Sequence, residues 1–164
     1  MNKICDKIFM PLAIAAFTVS GSAHAQLGAS KVATAHAAVR PAAVPRGSKG
    51  MLIVTLSVGA KYHVNANNPN DPAYIPTVFT PQPVPGIQFG AAHYPAPKLM
   101  KLSYSPKPLL VYTGRVTVSV PFTVTPNARP GMVPLSGTIN FQGCDARSCF
   151  PPASAPIKAV VLVK

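Results

Sequence analysis

The chain has 164 residues and a net charge of +12, with 15 Lys and Arg against 3 Asp and Glu. Its length fits one domain with a buried core. The basic residues are scattered and no aromatic RNA-binding motif occurs, so a nucleic-acid partner is not expected.

Residues 1–25 have the order of a secretory signal peptide. Lys3 and Lys7 precede the apolar stretch 8–19, and Ala23-His24-Ala25 ends the segment with small residues where a signal peptidase cleaves. This apolar stretch is shorter than the roughly 20 residues needed to span a bilayer, and later apolar runs are broken by Pro, Lys or Gly. We therefore predict export to the periplasm, cleavage after Ala25 and no transmembrane segment thereafter.

Cleavage would change both the charge and the cysteine count. Lys3, Lys7 and Asp6 would leave with the segment, which lowers the net charge to +11. Cys5 would also be lost, so that Cys144 and Cys149 remain as a pair. Two cysteines in an oxidising compartment are expected to bond or to exchange.

Residues 26–50 are rich in Ala, Pro and Val with isolated cations and show no steady apolar period. This composition predicts a flexible cationic tether rather than a part of the fold. From residue 51 the sequence becomes rich in apolar and β-branched residues, and we place the folded domain at 51–164.

Short strand-like segments separated by Pro and Gly follow along the domain. Within one of them, Val116, Val118 and Val120 alternate with polar residues, which is typical of a half-buried strand. No helical period is found, so we predict an all-β sandwich. The predicted strands are 51–58, 61–65, 74–80, 86–89, 98–104, 109–112, 115–125, 133–142 and 157–163.

Cys144 and Cys149 are the candidate functional residues of the sequence, as a structural disulfide, as metal ligands or as a redox pair. A structural disulfide across so small a loop would contribute only about 2 kcal/mol, and stapling disulfides usually join distant segments. A metal site would need further ligands, for which His63 or His93 is available, but the usual zinc spacing is missing. Arg147 would favour a reactive thiolate and Asp145 would oppose it. Redox exchange is favoured over a passive disulfide, and the alternatives stay open.

At these residues the sequence resembles a known family. Gly143-Cys144-x-x-x-x-Cys149-Phe150-Pro151-Pro152 is similar to the cysteine signature of the N-terminal periplasmic domain of the DsbD thiol–disulfide reductases. Weaker similarities lie in the same order upstream. They are the segment 61–69, Ile75-Pro76-Thr77, and Leu110-Val111-Tyr112 with the strand pair that follows it. The resemblance covers residues 51–164.

The resemblance implies a fold and a role. The fold would be an immunoglobulin-like β-sandwich with the redox cysteines at one end. The domain would relay electrons from a membrane thiol reductase of the DsbD or CcdA type to oxidised periplasmic thioredoxin-like proteins, without a cofactor. Cys149 would pair with the partner protein, and Cys144 would resolve the mixed disulfide. The other residues expected to line the active site are His63, Asn65, Asp145, Arg147 and Phe150.

The chain also departs from the family, whose full reductases continue into a membrane domain and a thioredoxin-like domain. The segment 103–107, where the family places a loop over the cysteines, has no acidic residue, and Tyr104 is a candidate for shielding them. Two other functions stay open. One is a non-catalytic basic binding module with a fixed disulfide. The other is a copper-binding protein that uses Cys144, Cys149 and His63.

Overall fold

The computed structural model describes residues 31–164, so the predicted signal peptide lies outside the described residues. The described part is built from strands, and none of its helices is long and apolar enough to cross a membrane. The twelve strands are β1 (Ala33–Arg40), β2 (Ala43–Val44), β3 (Lys49–Val58), β4 (His63–Asn65), β5 (Val78–Pro81), β6 (Ile87–Phe89), β7 (Lys98–Met100), β8 (Leu109–Tyr112), β9 (Arg115–Val124), β10 (Gly131–Phe141), β11 (Gly143–Cys144) and β12 (Ala153–Val163).

The strands form three four-stranded sheets. The first has the order β1-β3-β9-β6, the second β2-β12-β10-β5, and the third β11-β4-β8-β7. All pairings are antiparallel except that of β2 with β12. The third sheet is the small one, and it carries Cys144 on its β11 edge.

The core lies between the first two sheets. Every second residue of β3 and β9 is buried, as the alternation of apolar and polar residues in their sequences predicts. The inward residues of these strands pack in one cluster with Leu135 and Ile139 of β10 and with Ile157 and Val161 of β12. Two sheets packed over one core form an immunoglobulin-like sandwich, so the predicted fold class is confirmed.

The predicted tether is wrong for residues 33–50. Residues Ala33 to Arg40 form β1, which pairs along its whole length with β3, and β2 pairs with the end of β12. Ala35, Ala37 and Val39 of β1 pack against the core. Because alanine offers little apolar area, the period-two pattern of this strand is weak, and pairing with β3 decides its conformation. Residues 26–30 lie outside the described residues.

A smaller cluster supports the third sheet. Leu102, Leu109 and Val111 are buried together, with Tyr104 packed at the edge of the group. The predicted strand 98–104 ends earlier, at Met100, because the chain then turns through residues 101–108. This loop leads towards the cysteine pair.

Candidate functional site

The two cysteines lie directly opposite each other in a narrow hairpin. Cys144 ends β11 and forms an isolated antiparallel bridge with Cys149. Their sulfurs are bonded at 2.00 Å, and their Cα atoms are 3.9 Å apart. Two backbone hydrogen bonds close the hairpin, from Asp145 N to Ser148 O at 2.9 Å and from Phe150 N to Gly143 O at 2.8 Å.

Asp145 shapes the loop between the cysteines. Its Oδ1 accepts hydrogen bonds from the backbone N–H of Arg147 at 2.8 Å and of Ser148 at 2.9 Å, which is the Asx turn that Asp commonly forms. These two donors lower the pKa of the Asp145 carboxyl, which therefore remains ionised at neutral pH. The side chain of Arg147 is exposed to solvent. The carboxylate thus has a conformational role, in addition to the electrostatic one expected from the sequence.

The two cysteine residues differ in burial. Cys144 is completely buried, whereas Cys149 is only partly buried. Cys144 lies between Cys149 and His63, its partner across the β11–β4 pair. Attack by another protein's thiolate requires direct access to a sulfur, so the difference in burial favours Cys149 over Cys144 as the sulfur that is attacked.

Tyr104 covers the accessible sulfur and joins it to His63. The Tyr104 hydroxyl lies 3.6 Å from Cys149 Sγ and 2.7 Å from His63 Nε2. A hydroxyl has one hydrogen to donate, and a disulfide sulfur has none. Tyr104 can therefore donate to Cys149 only when Nε2 of His63 carries a hydrogen and donates it to the Tyr104 oxygen. In that arrangement His63 donates a hydrogen bond to Tyr104, and Tyr104 donates one to the sulfur of Cys149.

Burial keeps both members of this pair neutral. His63 is 4% exposed, and burial lowers its pKa from 6.5, although the negative charge of Asp145 acts in the opposite direction. Burial, together with the nearby Tyr74 and Asp145, raises the pKa of Tyr104 to about 12. At neutral pH the sulfur is therefore faced by a protonated phenol and a neutral imidazole.

The loop 101–108 is attached to the cysteine hairpin at several points. The Ser103 hydroxyl donates to the carbonyl oxygen of Ala146 at 2.7 Å. The ring of Tyr104 lies nearly parallel to that of His63. The ring of Tyr74 is also close to that of Tyr104, with the two centroids 6.5 Å apart. Ser103 and Tyr104 thus hold the loop over the hairpin, where they limit access to Cys149.

Asn65 and Gln142 connect the hairpin to neighbouring segments. The Asn65 amide donates to Ile75 O at 3.0 Å and to Gln142 Oε1 at 3.1 Å. Gln142 Nε2 in turn donates to Phe150 O at 3.2 Å. Asn65 lies two residues beyond His63, but its hydrogen bonds lead to Gln142 and not to a sulfur. Its position favours support of the hairpin over direct tuning of the thiols.

Phe150 packs beside the hairpin. Its ring meets that of Tyr62 edge to face, with the centroids 5.9 Å apart. This geometry is a favourable one for two aromatic rings. Of the residues proposed from the sequence, the structure brings His63, Asp145 and Phe150 around the two cysteines, and it leaves Arg147 in solvent.

Gln142 and Ser103 are site residues that are not predicted from the sequence. Gln142 accepts from Asn65 and from Ile75 N, the latter at 3.4 Å, and so connects three separate segments of the site. Its position just before Gly143-Cys144 is a weak signal, since a polar residue at a strand end is common. Nothing in the sequence indicates that Ser103 contacts Ala146, 43 residues away.

Within residues 31–164, no three His, Cys, Asp or Glu side chains are grouped so that they could hold a metal ion. The arrangement favours sulfur chemistry instead. Thiol–disulfide exchange requires a disulfide sulfur that a thiolate can reach, and a phenol that donates to a thiolate would stabilise the attacking form.

The sequence profile of the family described as "Thiol:disulfide interchange protein DsbD, N-terminal" matches residues 29–160. The chain belongs to this family. The match of the DsbD N-terminal family includes β1, β2 and the whole disulfide hairpin, so it also places residues 33–50 inside the domain. No curated protein sequence matches the chain significantly.

Several solved structures resemble this chain at low identity. The N-terminal domain of DsbD from Neisseria meningitidis, in its reduced form, is 18% identical over 65% of this chain and 74% of that one, with a TM-score of 0.43. The N-terminal periplasmic domain of ScsB from Proteus mirabilis is 12% identical, with a TM-score of 0.49 over 77% of this chain and 43% of that one. A family 123 glycoside hydrolase from Clostridium perfringens is 11% identical over 74% of this chain and 22% of that one, with a TM-score of 0.33.

Proposed function

We propose that this chain is a periplasmic electron relay that takes electrons from a membrane thiol reductase and passes them to oxidised thioredoxin-like proteins. The observation that carries the proposal is the unequal burial of the two disulfide-bonded sulfurs, with Cys144 fully buried and Cys149 partly accessible. Family membership supports the same chemistry.

The first half of the cycle reduces the domain. A thiolate of the reduced partner attacks Cys149 Sγ, and the bond between Cys144 and Cys149 breaks. Cys144 leaves with the electron pair and takes up a proton. The second thiol of the partner, as a thiolate, then attacks its own neighbour in the mixed disulfide and releases Cys149. The partner is now oxidised and the domain carries two reduced cysteines.

The second half returns the domain to the oxidised form. The Cys149 thiolate attacks the disulfide of a thioredoxin-like protein, and one sulfur of that protein leaves as a thiolate. Cys144 then loses its proton and attacks Cys149, which restores the disulfide and releases the reduced protein. Tyr104 can donate a hydrogen bond to the Cys149 thiolate at both stages, which favours it as attacking and as leaving group.

The surroundings of Cys149 suit contact with another protein. Ile75 is exposed beside Gln142, and Pro151 and Pro152 continue the exposed surface after Phe150. Exposed apolar side chains near the hairpin can pack against a docking partner, and Tyr104 of the loop 101–108 would have to move away from Cys149 to admit the attacking thiolate.

The reduction potential of the pair tests the proposal. The protein is equilibrated in thiol redox buffers, and the oxidised fraction is measured by alkylation and mass spectrometry. A relay predicts a value between about −120 and −270 mV, as in thioredoxin-like exchangers. A value below about −300 mV would indicate a structural disulfide and favour the binding-module alternative.

A pair of matched variants tests the assignment of the two sulfurs. Cys144→Ser leaves the accessible Cys149 without its resolving partner, so it should accumulate mixed disulfides with an oxidised thioredoxin-like domain. Cys149→Ser leaves only the buried Cys144 and should trap little or nothing. Equal trapping by both variants, or by neither, would contradict the assigned roles.

A further inference from the structure

The end of the sandwich opposite the disulfide carries several exposed cations. There β1 ends, β3 begins, β9 ends, β10 begins and β12 ends. Five exposed cations, which we call the basic end, lie at these termini: Arg40, Arg46, Lys49, Arg129 and Lys164. Backbone contacts join them, for example Arg46 N donates to Lys164 O at 3.0 Å.

No carboxylate of Asp or Glu balances this charge within the described residues. The two acidic side chains there are Asp71, in the turn between β4 and β5, and Asp145, in the disulfide hairpin. Both belong to the part of the molecule around the third sheet. The basic end therefore has a local positive potential that attracts anions.

An exposed apolar patch adjoins the basic end. On the outer face of the second sheet, Met132 pairs with Leu162 and Pro134 pairs with Val160. Met132 is 69% exposed, Val160 48% and Leu162 36%. Lys158 lies on the same face of β12 as Val160 and Leu162, since alternate residues of a strand share a face, and Lys164 follows directly after the strand. Along the chain, Val160 and Leu162 are therefore flanked by two cations, Lys158 and Lys164.

We propose that the basic end and its apolar patch bind the surface of an anionic phospholipid bilayer. A bilayer interface offers phosphate groups to the cations and an apolar layer to Met132 and Leu162 at the same time. An acidic polymer would satisfy the charges and leave the apolar side chains in water, so the combination favours the lipid surface.

This inference goes beyond the electron relay and does not depend on it. Phe141 lies nine positions beyond Met132 along β10, which places the disulfide hairpin roughly 30 Å from Met132 at about 3.3 Å per residue. A domain bound through the basic end would present Cys149 away from the bilayer, towards soluble partners.

Binding to vesicles tests the proposal. The protein is produced from its full coding sequence, so that any processing of residues 1–25 takes place, and its mass is checked. Sedimentation with vesicles of phosphatidylethanolamine and phosphatidylglycerol should exceed that with phosphatidylcholine alone, and the difference should shrink with added salt. Binding to polyglutamate without binding to the anionic vesicles would overturn the proposal in favour of an acidic polymer.

Two triple variants of equal net charge separate a local site from overall charge. Arg46→Gln, Arg129→Gln and Lys164→Gln remove three cations from the basic end. Each cation near an anionic surface changes binding about fivefold, so the triple variant should bind roughly a hundredfold more weakly. Lys61→Gln, Lys98→Gln and Lys101→Gln remove three exposed cations elsewhere and should bind nearly as wild type. Equal losses in the two variants would overturn a local site.

The apolar patch has its own test. Met132→Ser with Leu162→Ser should weaken vesicle binding several-fold at about 0.15 M ionic strength, where exposed charges are partly screened. Unchanged binding would refute the insertion of these side chains. Circular dichroism and the disulfide-exchange rate of each variant report whether the fold is intact.

Discussion

Removal of a single oxygen atom, in Tyr104→Phe, tests how the site controls the reactive thiol. The variant keeps the ring over Cys149 and deletes the hydroxyl that lies 3.6 Å from Sγ and 2.7 Å from His63 Nε2. In the reduced protein this hydroxyl can donate to the Cys149 thiolate. Loss of this donor should therefore destabilise the thiolate relative to the thiol.

The expected size follows from the strength of a hydrogen bond to a charged group, about 1.5–3 kcal/mol. Because the oxygen-to-sulfur distance of 3.6 Å is long, the lower end of that range applies. One pKa unit corresponds to about 1.4 kcal/mol, so we expect the pKa of the Cys149 thiol to rise by about one unit in Tyr104→Phe. His63 Nε2 would also lose its partner in a buried position, which should cost about 1–3 kcal/mol of stability.

The assay is the rate at which iodoacetamide alkylates Cys149 in the reduced protein, followed against pH by mass spectrometry of the labelled peptide. Tyr62→Phe is the matched control, because it also removes one phenolic oxygen near the site. The Tyr62 hydroxyl makes no hydrogen bond within residues 31–164. The pH at which the alkylation rate reaches half its maximum should be higher in Tyr104→Phe than in the wild type. If it is the same in both proteins, or if Tyr62→Phe raises it equally, the assigned role of the Tyr104 hydroxyl is refuted.

Three further predictions concern the support of the site and the core. Burial lowers the pKa of His63, so the unfolded chain binds the proton more readily, and stability should fall as the pH drops below 6.5, by at most about 1.4 kcal/mol per pH unit. Urea unfolding at several pH values gives the free energy of unfolding as a function of pH, and this dependence should be weaker in His63→Gln than in the wild type. The same dependence in both proteins would contradict the prediction. Gln142→Ala removes the side-chain donor to Phe150 O and should destabilise the oxidised protein by about 1–3 kcal/mol, measured as a lower midpoint in urea. Gly50→Ala would place a Cβ against the ring of Phe122 in the core and should cost about 1–3 kcal/mol. Gly47→Ala is a poor control because its φ is +76°, so Ser48→Ala serves instead, and equal melting temperatures for the two alanine variants would refute the clash.

The sequence by itself determined the all-β class and the position of most strands. The alternation of β-branched and polar residues in β3 and β9 is strong enough to be read without a structure, because one face of each strand must be apolar to cover the core. The motif around Cys144 and Cys149 is similarly local, since the residues that form the hairpin are consecutive. That is why the family resemblance could be stated from those residues.

Only the tertiary structure shows that residues 33–40 form the strand β1. Its alternating residues are mainly alanine, and Ala35 and Ala37 carry too little apolar area to signal a strand. The eight pairings with β3 supply the backbone partners that the local sequence does not imply. A segment of low intrinsic preference can therefore form a full strand when a neighbouring strand offers its edge.

The same distinction holds for the site. The sequence identifies the two sulfurs, but their difference in burial depends on which strands and loops pack around them. Tyr104 lies 45 residues from Cys149 along the chain, and His63 lies 41 residues from Tyr104. Hydrogen bonds over such separations are set by the packing of the third sheet and the loop 101–108, which no local pattern encodes. The chemistry was therefore visible in the sequence, whereas the group that covers Cys149 and the connection from His63 to it were decided by the fold.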